Sequence, residues 1–163
     1  MKKVDFLNKI REEGKLKIVE PSEEMKISYL RKAENCLKSA KILFENQLYE
    51  NSTSEAYYCM YNSLLALLFK AGIKSENHSA SIIVLKSLFD EETLYKVISF
   101  AKEERIDKQY YVESHQTIKV TKDSCKDLVI KSEDFLVKMK LVISRLSTEK
   151  INLIRNSFEN LFY

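Results

Sequence analysis

Glycine and proline are almost missing from this chain: two glycines, Gly14 and Gly72, and one proline, Pro21, in 163 residues. A β-sandwich or barrel spends turn residues at every reversal, whereas a helical bundle needs few, so the scarcity points to helices. It also removes classes of site. Neither a glycine-rich phosphate loop nor a dinucleotide fingerprint can be built from two distant glycines. Cysteine is sparse and odd in number, at Cys36, Cys59 and Cys125, with no Cys-x-x-Cys spacing. That argues against a disulfide framework or a zinc knuckle and for free thiols in a reducing cytosol. Neither histidine has a glutamate three positions before it, so the ferritin-like di-metal pattern is absent, as is a His-Glu-x-x-His site; no metal and no cofactor are expected. The longest apolar run, Leu64 to Phe69, is far short of a membrane span, and the first residues carry no apolar signal region, so a cytoplasmic protein is expected. The net charge of +3 is too small to imply nucleic-acid binding by itself.

What is present is ordinary globular balance, 45% hydrophobic and 31% charged residues, in a length that suits one domain. Residues 3–13 read as a short amphipathic helix ending near Gly14. Residues 15–20 alternate polar and apolar before Pro21 and are expected to run extended. Ser22 is a natural N-cap for a helix to about Asn46, with Ile27, Leu30, Ala33, Leu37, Ala40 and Phe44 on one stripe. A third helix, about 51–71, is apolar nearly all round and belongs in the middle of a bundle, with Gly72 just past its end. A fourth, about 77–89, carries His78, Ile82, Leu85 and Phe89 on one stripe. Asp90 is read as the cap of a fifth, about 91–111. Thr121 opens a sixth, to about Leu146, and 149–162 add a last, more polar helix. There is no internal repeat.

The informative segment is Lys102-Glu-Glu-Arg-Ile-Asp-Lys-Gln-Tyr-Tyr111. At about 100° per residue, Arg105 falls on the stripe of Leu94, Ile98 and Ala101. A guanidinium on an apolar stripe is costly unless it meets a carboxylate or phosphate. Two readings stand: Arg105 pairs with an acid of its own domain or snorkels from the helix end, or it faces a cleft or dimer interface that holds an anion. Tyr110 and Tyr111 are read first as half-buried core or interface, although beside Arg105 and Lys108 they can serve a nucleotide. His78, in the first turn of its helix, is read as a neutral, hydrogen-bonded structural histidine, because the positive helix end disfavours its charged form. His115 falls in a polar loop and is read as solvent-exposed. The aromatic residues of the third helix are read as core.

The run Ser28-Tyr-Leu-Arg-Lys-Ala-Glu-Asn-Cys-Leu-Lys-Ser-Ala-Lys-Ile-Leu, the run Glu55-Ala-Tyr-Tyr-Cys-Met-Tyr-Asn-Ser-Leu-Leu-Ala-Leu-Leu, then Asn77-His-Ser-Ala and Arg105-Ile-Asp-Lys-Gln-Tyr-Tyr resemble, in order and spacing, the small stand-alone HEPN proteins of archaea. The resemblance covers about 25–146. It implies an all-α, up-and-down helical bundle of the HEPN type over 22–163, preceded by a short helical extension over 1–21, and a homodimer formed through central helices. In many HEPN proteins an Arg-x4-His motif at the dimer interface cleaves RNA, the arginine on the phosphate and the histidine helping to activate the 2′-hydroxyl. Many act as toxins beside a minimal nucleotidyltransferase, which neutralises them by attaching AMP to a tyrosine near the motif.

Carried onto this chain, Arg105 matches the motif arginine, and Tyr110 stands where the histidine belongs. A phenol with a pKa near 10 is a poor general base at neutral pH, and general acid–base help is typically worth about 10²–10⁴-fold. The expectation is therefore a protein that binds a nucleotide or RNA phosphate through Arg105, Lys108, Tyr110 and Tyr111, with little or no nuclease activity and a nucleotidyltransferase as partner. Tyr110 or Tyr111 is the candidate AMP acceptor. Two alternatives compete. One is a metal-independent ribonuclease toxin using Arg105, Tyr110 and either His115 or His78. The other is a helical interaction adaptor without ligand, in which Arg105 only pairs with an acid.

Overall fold

The computed structural model describes the backbone of residues 2–110 and 120–161, and the side chains of residues 4–105 and 120–161. The chain is all-α: α1 (Lys2–Glu12), α2 (Glu23–Glu45), α3 (Tyr49–Lys70), α4 (His78–Phe89), α5 (Glu92–Tyr110), α6 (Lys122–Ser144) and α7 (Thr148–Asn160), with two short strands, β1 (Leu16–Ile18) and β2 (Ile73–Ser75).

The helix starts follow from side-chain acceptors placed before apolar periodic segments. Ser22, Asn77, Thr121 and Ser147 each accept a backbone N–H two or three residues into the helix they open. Thr121 and Ser124 complete a reciprocal capping box. Asp90 does not play the part expected of it. It closes α4 as a C-cap in the left-handed region, φ 55°, a conformation that Asp tolerates better than most residues. The first intrahelical bond of α5 instead runs from Tyr95 N–H to the Glu91 carbonyl.

α3 is the axis of the bundle. Tyr57, Met60, Leu64, Leu67 and Leu68 are fully buried, and α2, α4, α5 and α6 all pack on it. Each such side chain contributes on the order of 1.5–3 kcal/mol by leaving water, which is why a helix apolar all round takes the centre. α2 meets α3 through Ala33 and Ala40, both fully buried, whose small side chains allow close approach. The expected α2 stripe is correct except near its N-terminal end, where Ile27 remains 49% exposed and the contact with α3 is made instead by Tyr29, stacked on Phe69. Phe135 and Met139 carry the buried face of α6, and Leu94, Ile98 and Ala101 that of α5.

The extended reading of 15–20 corresponds to β1, which pairs antiparallel with β2, Leu16 opposite Ser75 and Ile18 opposite Ile73. β2 lies in the short α3–α4 connection and was not anticipated, since three residues carry no usable periodicity. Leu7 and Ile10 of α1 and Leu16 of β1 join the main core, and Arg11 ion-pairs with Glu159 of α7 at 2.7 Å. The first twenty residues thus share the hydrophobic core of the bundle.

Candidate functional site

Arg105 lies on the inward face of α5, as its place on the stripe of Leu94, Ile98 and Ala101 requires. Its guanidinium carbon sits 4.9 Å from the ring centroid of Tyr58 and 5.3 Å from that of Tyr57, within cation–π range. Its Nε is buried and, among the described residues, has no hydrogen-bond partner. Among the described residues no carboxylate forms an ion pair with it. One turn earlier on the same face stands Lys102, half-buried, whose Nζ donates to Ser79 Oγ at 2.5 Å. Burial lowers the pKa of Lys102; Glu103 opposes that shift and the nearby Arg105 charge adds to it. Two cations therefore share one partly desolvated site, where Glu103 offsets part of the cost for Lys102 and, among the described residues, no acid ion-pairs with Arg105.

His78 joins them from the first turn of α4. Asn77 caps that helix, its side chain accepting from Ala80 N–H at 2.9 Å, while Ser81 Oγ ties the same turn to Ser75 Oγ of β2 at 2.8 Å. The imidazole stacks on Tyr61, with ring centroids 3.7 Å apart and planes within 15°, and its Nδ1 lies 2.6 Å from the Tyr57 hydroxyl. Burial first, and then the charges of Arg105 and Lys102, pull its pKa down to about 4. His78 is neutral and hydrogen-bonded, and burial together with the neighbouring cations adds to the effect expected of the helix end.

The tautomer follows from the partners. Burial pushes the Tyr57 phenol well above its ordinary pKa, so it keeps its proton, and among the described residues it has no other hydrogen-bond partner than His78. Donation from the phenol to Nδ1 leaves no buried O–H unpaired. The imidazole then carries its proton on Nε2 and offers a neutral N–H donor. Guanidinium and ammonium, with a neutral imidazole close enough to feel both charges, make a donor-rich cluster of the kind that suits an anion. Among the described residues no cluster of His, Cys, Asp and Glu could hold a metal.

Of the residues expected at the site, Arg105 is placed as described. The side chains of Lys108 and Tyr110, and Tyr111 and His115 entirely, lie outside the described residues. The residues that surround Arg105 are others: Tyr57, Tyr58 and Tyr61 from α3, His78 from α4, and Lys102. The three tyrosines looked like core, and Tyr57 and Tyr61 are indeed buried. The available signal was that phenols on a central, otherwise aliphatic helix need polar partners. Lys102 could have been found from its i, i+3 relation to Arg105.

A guanidinium, an ammonium and a neutral imidazole brought together by the third, fourth and fifth helices mark the candidate site of an all-α helical-domain protein. The chain belongs to the HEPN domain family, whose family model matches residues 28–142, a span that includes Tyr57, His78, Lys102 and Arg105. Two archaeal relatives are similar to it. "Putative toxin MJ0605" of Methanocaldococcus jannaschii is 28% identical over 117 residues, covering 70% of this chain and 85% of its own. A UPF0332 protein of Archaeoglobus fulgidus is 29% identical over 120 residues, covering 71% and 93%. Among the described residues no helix is long and apolar enough to cross a membrane.

Proposed function

We propose that this chain is a HEPN component of a toxin–antitoxin or defence system that holds the phosphate of a nucleotide or RNA at Arg105 and has little or no nuclease activity. The observation that carries this reading is the buried, unpartnered Nε of Arg105 above two tyrosine rings. A buried guanidinium nitrogen left unpaired costs on the order of 1–3 kcal/mol, and a bound phosphate would satisfy it. Lys102 and the Nε2–H of His78 supply the neighbouring donors. The family resemblance further implies Lys108, Tyr110 and Tyr111 as ligand-binding residues, with Tyr110 or Tyr111 the acceptor for AMP from a minimal nucleotidyltransferase partner. A homodimer and the partner enzyme are implied by the family resemblance, and the toxin name of one relative supports such a setting.

A second reading, a metal-independent ribonuclease toxin, is favoured by one observation: an imidazole, His78, stands in the same cluster as Arg105 even though position 110 is a tyrosine. The tautomer weighs against it. An Nε2 that already bears a proton cannot remove one from a 2′-hydroxyl, so His78 binds rather than acts as a base.

The test is incubation of the pure protein with total RNA without metal, beside binding of nucleotide and RNA by the wild type and Arg105→Ala. Binding lost in the variant, with RNA intact throughout, supports the first reading. Cleavage abolished by both Arg105→Ala and Tyr110→Phe would establish the second. Equal affinity in wild type and Arg105→Ala would remove the anion site altogether.

A further inference from the structure

The donor array does not end at Lys102. A groove of about 230 Å³ runs between α4 and α5, lined by Ser79, Ile82, Ile83, Tyr95, Ser99, Lys102 and the carboxylate-bearing Glu103. Ser79 and Lys102 belong both to this groove and to the cluster around Arg105, and the contact between them, Nζ to Oγ at 2.5 Å, is the junction of the two. The far wall is apolar, made by Ile82 and Ile83 of α4 with the half-buried ring of Tyr95, while Ser99 adds a hydroxyl from α5.

From this continuity we infer that the α4–α5 groove is the second half of the ligand site and receives the nucleoside whose phosphate is held by Lys102, Arg105 and His78. The inference rests on the phosphate reading given above. Three features select that occupant. The cation cluster fixes the charged end of the ligand beside Ser79 and Lys102, so whatever the phosphate carries enters the groove from that end. Ile82 and Ile83 offer apolar contact to the face of a heterocycle, while the Glu103 carboxylate in the lining disfavours a second anionic group; the Tyr95 ring already carries Lys86 Nζ 5.0 Å from its centroid. The volume is below the ~300–1,000 Å³ that drug-sized ligands fill, so the groove takes one nucleoside and not two. The rings around Arg105 are already engaged: Tyr57 and Tyr61 are buried and stacked against His78, and Tyr58 has the guanidinium over its face and stands edge-on to the same imidazole. Base recognition is thereby separated from phosphate recognition, with Lys102 standing between them. The same chemistry could be presented by a free mononucleotide or by one nucleotide of an RNA chain.

The experiment uses the full chain and calorimetric titration with inorganic phosphate, AMP and, by anisotropy, a short labelled RNA. Ile83→Trp and Ser99→Trp fill the groove from opposite helices, and thermal unfolding checks that each is folded. The wild type is expected to bind AMP at least tenfold more tightly than inorganic phosphate. Filling the groove should bring AMP down to the affinity of phosphate and leave phosphate binding unchanged, whereas Arg105→Ala should weaken both. Loss confined to AMP identifies a free nucleotide, and loss confined to RNA identifies a nucleotide within a chain; either supports the groove. Unchanged AMP and RNA affinity in a folded groove-filling variant, with Arg105→Ala still defective, overturns the groove and spares the phosphate site. Failure of the wild type to bind phosphate, AMP and RNA overturns both.

Discussion

The Tyr57 hydroxyl lies 2.6 Å from His78 Nδ1, and this pair from α3 and α4 holds an uncharged imidazole beside two cations of α5. Its consequences can be measured separately.

The first concerns pH. The folded His78 pKa is about 4 against an ordinary 6.5. Above pH 6.5 the ring is neutral in both folded and unfolded chains, and its contribution is constant. Between 6.5 and 4 the unfolded chain takes up the proton first, so stability falls as pH falls; below 4 both states are protonated and the loss stops. For a half-buried ring the loss amounts to about 2 kcal/mol after allowance for solvent screening. Urea denaturation between pH 4 and 7 should show this slope in the wild type, and His78→Gln should remove it. A slope unaltered in the variant would show that other groups govern the acid limb.

Arg105→Ala should alter ligand binding far more than stability. The change forfeits two cation–π contacts, about 0.5–1 kcal/mol each, while relieving a buried unpaired nitrogen. A net change within ~1 kcal/mol is expected by denaturation. The His78 pKa should rise in the same variant, since one of the charges that depresses it is gone, and a proton NMR titration reads this directly. A drop of several kcal/mol would mean that the guanidinium is a structural group after all.

Adding inorganic phosphate to the wild type should also raise the His78 pKa, because a bound anion offsets the field of Arg105 and Lys102. The same NMR titration with and without phosphate checks it. No movement of the imidazole signal at saturating phosphate would place the anion elsewhere.

Of the two glycines, Gly72 is the one that cannot take a side chain without a clash. Its φ is +74°, and an added Cβ would stand 2.6 Å from the Val19 carbonyl and 3.1 Å from Pro21 Cδ, besides displacing the Arg155 guanidinium. That guanidinium is tied to the Val19 and Gly72 carbonyls. Gly72→Ala should cost roughly 2–4 kcal/mol from strain and the backbone clash, seen as a lower urea midpoint. A shift smaller than 1 kcal/mol would contradict this geometry.

The thiols should be inert in the native protein. Burial pushes the Cys59 thiol up to about 12 and that of Cys36 to about 11, so almost no thiolate exists near neutrality. Iodoacetamide at pH 7.5 should label both only after unfolding, as read by peptide mass spectrometry. Rapid native labelling of Cys59 would be incompatible with its packing between α3 and α6.

Which of these features the sequence foretold depends on how local their causes are. The helices were legible because their signals lie within a few residues: caps at Ser22 and Thr121, three-to-four spacing on α6, an unbroken apolar surface on α3, and Gly72 just beyond its end. Arg105 stood out because a charge on an apolar stripe is a contradiction visible along one helix. The reversed part of Asp90, the strand at 73–75 and the exposure of Ile27 escaped, because each depends on what the neighbouring segment does.

The sequence by itself determined the helical class, the order of the elements, the family and the presence of one misplaced guanidinium, since periodicity, capping and spacing are properties of the chain read in order. Only the tertiary structure decided the company that guanidinium keeps. Tyr57, Tyr58, Tyr61, His78 and Lys102 come from three helices whose rotation and crossing are set by how the buried faces of α3, α4 and α5 interlock, and packing of that kind is settled between segments that no local pattern relates.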